Sequence, residues 1–175
     1  MSRSRLLPYV LAAVLAAVAL LLAQRRDGGG GGQGTPGGSA QARISRVVDG
    51  DTVIAQIAGR SERVRYIGMD TPESVKPNTP VQCYAKAASA ENKRLVEGRA
   101  VRLEFDRELR DRYGRLLAYV VPAGGGPSVN ETLLRGGFAR TIVFPPNTRN
   151  RSRFAAVERA AQERGAGLWS ACGAG

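Results

Sequence analysis

Residues 48–73 read VDGDTVIAQIAGRSERVRYIGMDTPE, and the strands and turns within them set where the remaining elements must go. Two strand-like runs, residues 52–57 and 63–67, flank Ala58-Gly59-Arg60-Ser61, a turn carrying a glycine where positive φ is easy. This pattern predicts an antiparallel hairpin. A turn centred on Gly59 and Arg60 puts Thr52 opposite Ile67 and Asp51 opposite Gly68, so Asp51 and Asp70 finish at the same end. Two carboxylates brought that close oppose each other's ionisation unless a cation or an arginine sits with them. A hard metal ion is the economical occupant. Arg65, five residues before Asp70, lies within side-chain reach of such an ion, and its guanidinium suits bidentate phosphate binding. Taken singly, each motif reads more readily as an ordinary Asp-Gly turn or a Thr-Pro-Glu loop with surface charges, since Asp-Gly turns are common.

Composition narrows the chemistry. The chain has 175 residues, a formal net charge of +11 and no histidine. The positive excess points toward polyanions, whether nucleic acid or an anionic membrane. Without imidazole, histidine-dependent nuclease schemes and histidine-containing zinc sites are excluded. Two cysteines do not make a four-thiolate zinc site, which leaves oxygen ligands and hence Ca²⁺ or Mg²⁺.

Along the chain, residues 1–5 are basic and residues 6–23 are unbroken apolar sequence, followed by Arg25-Arg26. The stretch 6–24 is long enough to span a bilayer. Leu21 stands where a signal-peptide cleavage site ending at Ala23 wants a small residue, so an uncleaved anchor is preferred over secretion after cleavage. Either way the following domain is expected outside the cytoplasm, on the cell membrane if anchored. Residues 25–41, with five consecutive glycines, read as a flexible tether, and 42–172 as one folded domain.

Residues 43–48 are a further strand candidate and 74–80 a loop beside the proposed site. Residues 81–97 carry Tyr84, Ala88, Leu95 and Val96 at near-helical spacing and stop at Gly98, a residue suited to a helix C-terminus. Val101, Leu103 and Phe105 alternate with charges, as a half-buried strand does, and residues 115–121 give another strand. Between them Asp111-Arg112-Tyr113-Gly114-Arg115 clusters guanidinium around an aromatic, which suits a phosphate with its base and also reads as a basic hairpin tip. Ser128 or Asn130 is placed to cap a short helix through Leu134. Residues 138–144 read as extended, and 149–164 as a last helix with Phe154, Val157 and Ala161 on its apolar stripe. The sum is an α+β, mainly β fold: an OB-type five-stranded antiparallel barrel with about three helices.

At this point residues 42–169 resemble the thermonuclease (micrococcal-nuclease-like) family. The resemblance is collinear, through Asp49-Gly50-Asp51-Thr52, Arg65, Asp70-Thr71-Pro72-Glu73, residues 111–119, Asn130-Glu131, Pro146-Asn147 and Gly167-Leu168-Trp169. It implies a Ca²⁺-dependent phosphodiesterase that acts on DNA and RNA and leaves 3′-phosphate and 5′-hydroxyl ends; the chain is separately expected to be a monomer, which no motif in it decides. By position it implies that Asp51 and Asp70 give carboxylate oxygens to Ca²⁺ and Thr71 its carbonyl. Glu73 would then orient or deprotonate the attacking water, Arg65 and Arg115 would grip the scissile phosphate, and Arg112, Tyr113 and Leu117 would contact the substrate. The chain departs from the family pattern where substrate-contacting tyrosines give way to Thr141-Ile142-Val143-Phe144-Pro145. The loop after Glu73 is also poorer in lysine.

Cys83 and Cys172 are not part of that pattern. An oxidising compartment predicts a disulfide between them, pinning the C-terminal tail, with two buried free thiols as the alternative. The opposing functional reading is a catalytically silent OB module that binds nucleic acid or another polyanion through its basic surface.

Overall fold

The computed structural model describes residues 34–74 and 80–173. The Asp-Gly-Asp stretch joins β1 (Ser39–Val47) to β2 (Thr52–Ile57), and β3 (Arg60–Tyr66) returns alongside β2 as the expected hairpin. Its turn is tighter than the sequence suggests. Ala58 and Gly59 both take positive φ, 47° and 80°, the two-residue geometry whose twist matches the strands it joins. Thr52 therefore pairs with Arg65 and Ile57 with Arg60, two residues short of the expected register. Because side chains alternate with period two, that shift leaves each residue on its expected face. Val53, Ala55 and Ile57 from β2 and Val64 and Tyr66 from β3 all enter the core.

β1 begins at Ser39, so the last residues of the expected tether belong to the barrel. Its first half pairs with β5 (Ala100–Glu104) and its second half with β2, with a break in register between Ile44 and Arg46. An irregularity of this kind bends a strand enough for it to serve two neighbours at a barrel corner. β6 (Leu116–Pro122) completes a closed barrel in the order β1-β2-β3-β6-β5. The expected all-antiparallel pairing fails at one seam, since β3 and β6 run parallel, with Val64 beside Leu116 and Tyr66 beside Ala118. Geometry requires this. Directions cannot alternate all the way around a closed ring of five strands, so one neighbouring pair must be parallel, and parallel neighbours need a long crossover. The crossover here carries α1 (Ala85–Val96) and β5.

α1 starts later than expected because Tyr84 adopts left-handed φ of 68° just before it, and it ends ahead of Gly98, at φ 73°. α2 (Val129–Arg135) is capped by Ser128, whose Oγ accepts the Glu131 N–H at 3.2 Å. In α3 (Arg151–Glu163) Phe154 and Ala161 are buried and Val157 is partly so. A fourth, short helix that the pattern did not foresee, α4 (Leu168–Ala171), follows Gly167. The extended run expected over 138–144 contracts to β7 (Arg140–Thr141), paired with β4 (Met69–Asp70). Glu158 of α3 takes both the N–H and the hydroxyl of Thr141, which holds β7 against α3 rather than in the barrel. Among the described residues no helix is long and apolar enough to cross a membrane. The predicted anchor or signal at 6–24 lies outside them.

Candidate active site: an acidic hollow bordered by arginine

The site grows from the turn between β1 and β2. Asp49 Oδ1 accepts the Asp51 N–H at 3.0 Å, and the Val48 and Asp49 N–H groups both turn back to the Thr52 carbonyl. From the other side Asn92 of α1 donates to the Asp49 carbonyl at 3.0 Å and accepts from the Tyr66 hydroxyl at 2.9 Å. The turn is thus held by its own side chain, by β3 and by α1.

Its product is a buried carboxylate. Asp51 is only 2 % exposed; its Oδ2 accepts from the Thr71 N–H at 2.8 Å and from the Thr71 hydroxyl at 2.9 Å. Its Oδ1 accepts from Thr52 Oγ1 and from Arg65 Nη1. The other terminal nitrogen of Arg65 donates to Asp70, whose side chain is 53 % exposed at the end of β4. One guanidinium therefore spans both carboxylates that the hairpin brings together. Burial pushes the Asp51 carboxyl above its ordinary pKa, with Arg65 and the Thr71 hydrogen bonds opposing that shift. Burial works against the Arg65 charge as well, but Asp51 and Asp70 outweigh it and hold the guanidinium above its usual range.

Gly50 makes this packing possible. A Cβ there would fall 2.6 Å from Thr71 Oγ1 and 2.7 Å from two of its carbons, displacing the residue that holds Asp51.

These groups line a hollow of about 250 Å³ with Asp49, Pro72, Glu73 and Gln82. Beside it runs a groove of about 730 Å³ that shares Arg65 and Asp70 and is lined further by Arg112, Tyr113, Arg115, Leu117, Ile142 and Phe144. The residues singled out from sequence thus divide between two adjoining spaces: the acids, Thr71 and Glu73 in the hollow, Arg112, Tyr113, Arg115 and Leu117 in the groove, and Arg65 between. Arg115 is aimed by Asp111, which accepts its Nε–H at 2.7 Å and its backbone N–H at 3.0 Å. Tyr113 is 68 % exposed, with the Arg112 and Arg115 guanidinium carbons 4.8 and 5.5 Å from its ring centroid.

The donor set suits a hard divalent cation. Two carboxylates from different elements meet one positive group, with no imidazole or thiolate near them. Among the described residues no three acidic, histidine or cysteine side chains gather into a cage, so main-chain oxygen and water must complete any coordination. That composition fits an oxygen-liganded divalent ion, Ca²⁺ or Mg²⁺.

Asp49, Phe144 and Gln82 are among the bordering residues that were not assigned a site role from sequence. Asp49 belongs to the Asp-Gly-Asp stretch and was legible there. Phe144, 65 % exposed, stands ahead of two prolines in the stretch that replaces the family's substrate-contacting tyrosines. Gln82 carried no signal, being a lone amide before a helix.

A closed OB-type barrel whose rim joins two arginine-bridged carboxylates to an adjoining groove bordered by further arginines defines the class: an OB-barrel protein with an acidic hollow and a basic groove side by side. Residues 63–171 match the model of the Staphylococcal nuclease homologue family. The chain is 48 % identical over 126 residues to a thermonuclease of Staphylococcus intermedius, covering 72 % of this chain and 74 % of that protein. A thermonuclease of Staphylococcus hyicus is 44 % identical over 128 residues, covering 73 % and 75 %. Endonuclease YncB of Bacillus subtilis is 43 % identical over 147 residues, covering 80 % and 69 %. The chain belongs to the staphylococcal nuclease homologue family.

Proposed function

We propose that this protein is a Ca²⁺-dependent nuclease that hydrolyses phosphodiester bonds of DNA and RNA to 3′-phosphate and 5′-hydroxyl ends. The observation that carries the reading is the convergence of Asp51 and Asp70 on Arg65, with Glu73 on the same hollow and Arg115 on the adjoining groove. Kinship with a thermonuclease and an endonuclease supports it.

Asp51, Asp70 and the Thr71 carbonyl are the groups that would hold the ion. Bound there, Ca²⁺ would supply positive charge beside the phosphoryl oxygens and lower the pKa of a coordinated water. Arg65 and Arg115 grip the non-bridging oxygens of the scissile phosphate and neutralise charge that grows on them in the transition state. Tyr113, Arg112 and Leu117 seat the neighbouring nucleotide in the groove. Glu73 orients the attacking water and accepts its proton. As the new P–O bond forms, the bond from phosphorus to the 5′ oxygen breaks. The phosphate stays on the 3′ side and the leaving oxygen takes up a proton from solvent.

The domain works outside the cytoplasm, held to the cell membrane by residues 6–24 or released after their cleavage. The Cys83–Cys172 disulfide supports an oxidising compartment.

Digestion of single-stranded DNA, plasmid and RNA by the whole chain tests the reading. Cleavage is expected with Ca²⁺ and is stopped by chelator. Arg65→Ala and Glu73→Gln each lower kcat by about 10²–10³-fold, the usual cost of removing a group that stabilises the transition state. Polynucleotides left whole in abundant Ca²⁺ would overturn it in favour of a silent binding module.

A further inference from the structure

We propose that Gln82 is a positioning residue for Glu73 and that the Cys83–Cys172 disulfide holds Gln82 in place, so that the C-terminal tail helps to aim the general base. The inference rests on the nuclease reading above.

Glu73 follows Thr71 and Pro72 on a segment with no helix or strand of its own, so its direction must be imposed from outside. Gln82 supplies that constraint with two hydrogen bonds. The Glu73 N–H donates to Gln82 Oε1 at 2.8 Å, and the Gln82 N–H donates to the Glu73 carbonyl at 2.9 Å. With both main-chain polar groups of Glu73 bound to one partner residue, the peptide planes on either side of its Cα are fixed in orientation as well as distance. Gln82 also borders the hollow, and as a neutral amide it adds no further negative charge there.

Gln82 is itself exposed, and an exposed amide side chain keeps one conformation only if its backbone is anchored. Three contacts on its C-terminal side do this. The Gln82 carbonyl accepts the Ala85 N–H at the start of α1 at 3.1 Å. Tyr84 stacks on Phe138 with centroids 5.5 Å apart. Cys83 is bonded to Cys172, whose Cα lies 5.8 Å away. Cys172 in turn follows α4, which is seated by buried Leu168 and by its N–H donated to the Gly137 carbonyl at 2.8 Å. The line of constraint runs from α4 through the disulfide and Gln82 to Glu73. Misplacing a catalytic group by about 1 Å costs up to about 10²-fold in rate.

The test uses the whole chain at saturating Ca²⁺ with single-stranded DNA. Truncating exposed Gln82 spares the core, so Gln82→Ala is expected to lower kcat about tenfold with KM unchanged. Cys83→Ser/Cys172→Ser lowers it less, and the combined variant falls no further than Gln82→Ala, as for residues acting through one chain of contacts. Hydrogen exchange adds a readout independent of activity: the Glu73 amide loses protection in both variants. Retained protection in Gln82→Ala, unchanged kcat, or fully additive losses would each overturn the inference and leave the nuclease reading standing. An unaltered protein that cleaves nothing would overturn both.

Discussion

At the scale of single residues, the site depends on one atom that is missing. Gly50 is buried against Thr71, and its φ is not in the left-handed region, so the constraint is close approach alone. Gly50→Ala forces Thr71 away from Asp51. Such overpacking costs about 1–3 kcal/mol when the surroundings yield. The expected outcome is a folded protein whose Ca²⁺ affinity, read by titration calorimetry, falls about tenfold or more, and unchanged affinity would show that Thr71 does not set Asp51. Tyr119 gives a residue-scale prediction about pH. It is buried, its hydroxyl donates to Asp106 at 3.2 Å and its ring packs edge-on to Phe154. Burial, with Asp106 beside it, pushes the phenol up to about 12. Because its folded pKa lies above the unfolded value near 10, its contribution to stability is complete below pH ~10 and is lost as pH rises through ~12. The urea midpoint should fall across that window, and Tyr119→Phe should remove part of the fall. Neither residue announces its role in sequence, since glycine in an Asp-Gly turn and tyrosine in a strand are both ordinary.

At the scale of elements, local rules chose element types well and partners less well. The hairpin, the helix ending ahead of Gly98 and the alternating strand at residues 100–104 follow from period and punctuation. The turn did not, because alanine seldom takes positive φ and Ala58 does so here under the twist of the two strands it joins. Asn130 shows the same limit. The sequence offers Ser128 or Asn130 as the cap without choosing between them; Ser128 caps and Asn130 is buried. Asn130 Oδ1 accepts the Val120 N–H at 2.9 Å and its Nδ2 donates to the Ile67 carbonyl at 2.9 Å, tying α2 to β6 and to the end of β3. Asn130→Ala strands two buried backbone groups. At roughly 1–3 kcal/mol for each, urea unfolding should show a loss of about 2–6 kcal/mol. A loss below 1 kcal/mol would mean water replaces the amide.

At the scale of the whole molecule, the disulfide closes 89 residues of sequence and joins the start of α1 to the tail beyond α4. In the chain-entropy picture a loop of that length contributes about 4–5 kcal/mol by restricting the unfolded chain. Reduction should therefore lower the urea midpoint sharply, and the oxidised protein should show no mass gain on alkylation until reductant is added. A midpoint indifferent to reductant would mean the unfolded chain is already compact there.

The sequence by itself determined which residues were acidic, basic or apolar at each step of the backbone, and hence the barrel strands, the three longer helices, the exclusion of imidazole chemistry and the delivery of Asp51 and Asp70 to one end of a hairpin. Those follow from short-range rules of period, turn chemistry and charge. Only the tertiary structure decided the parallel seam between β3 and β6, the place of Asn130 in the core and the grip of Gln82 on Glu73. Each joins groups far apart along the chain, and which distant groups meet depends on how the barrel closes and packs, a condition on the whole ring that no local stretch contains.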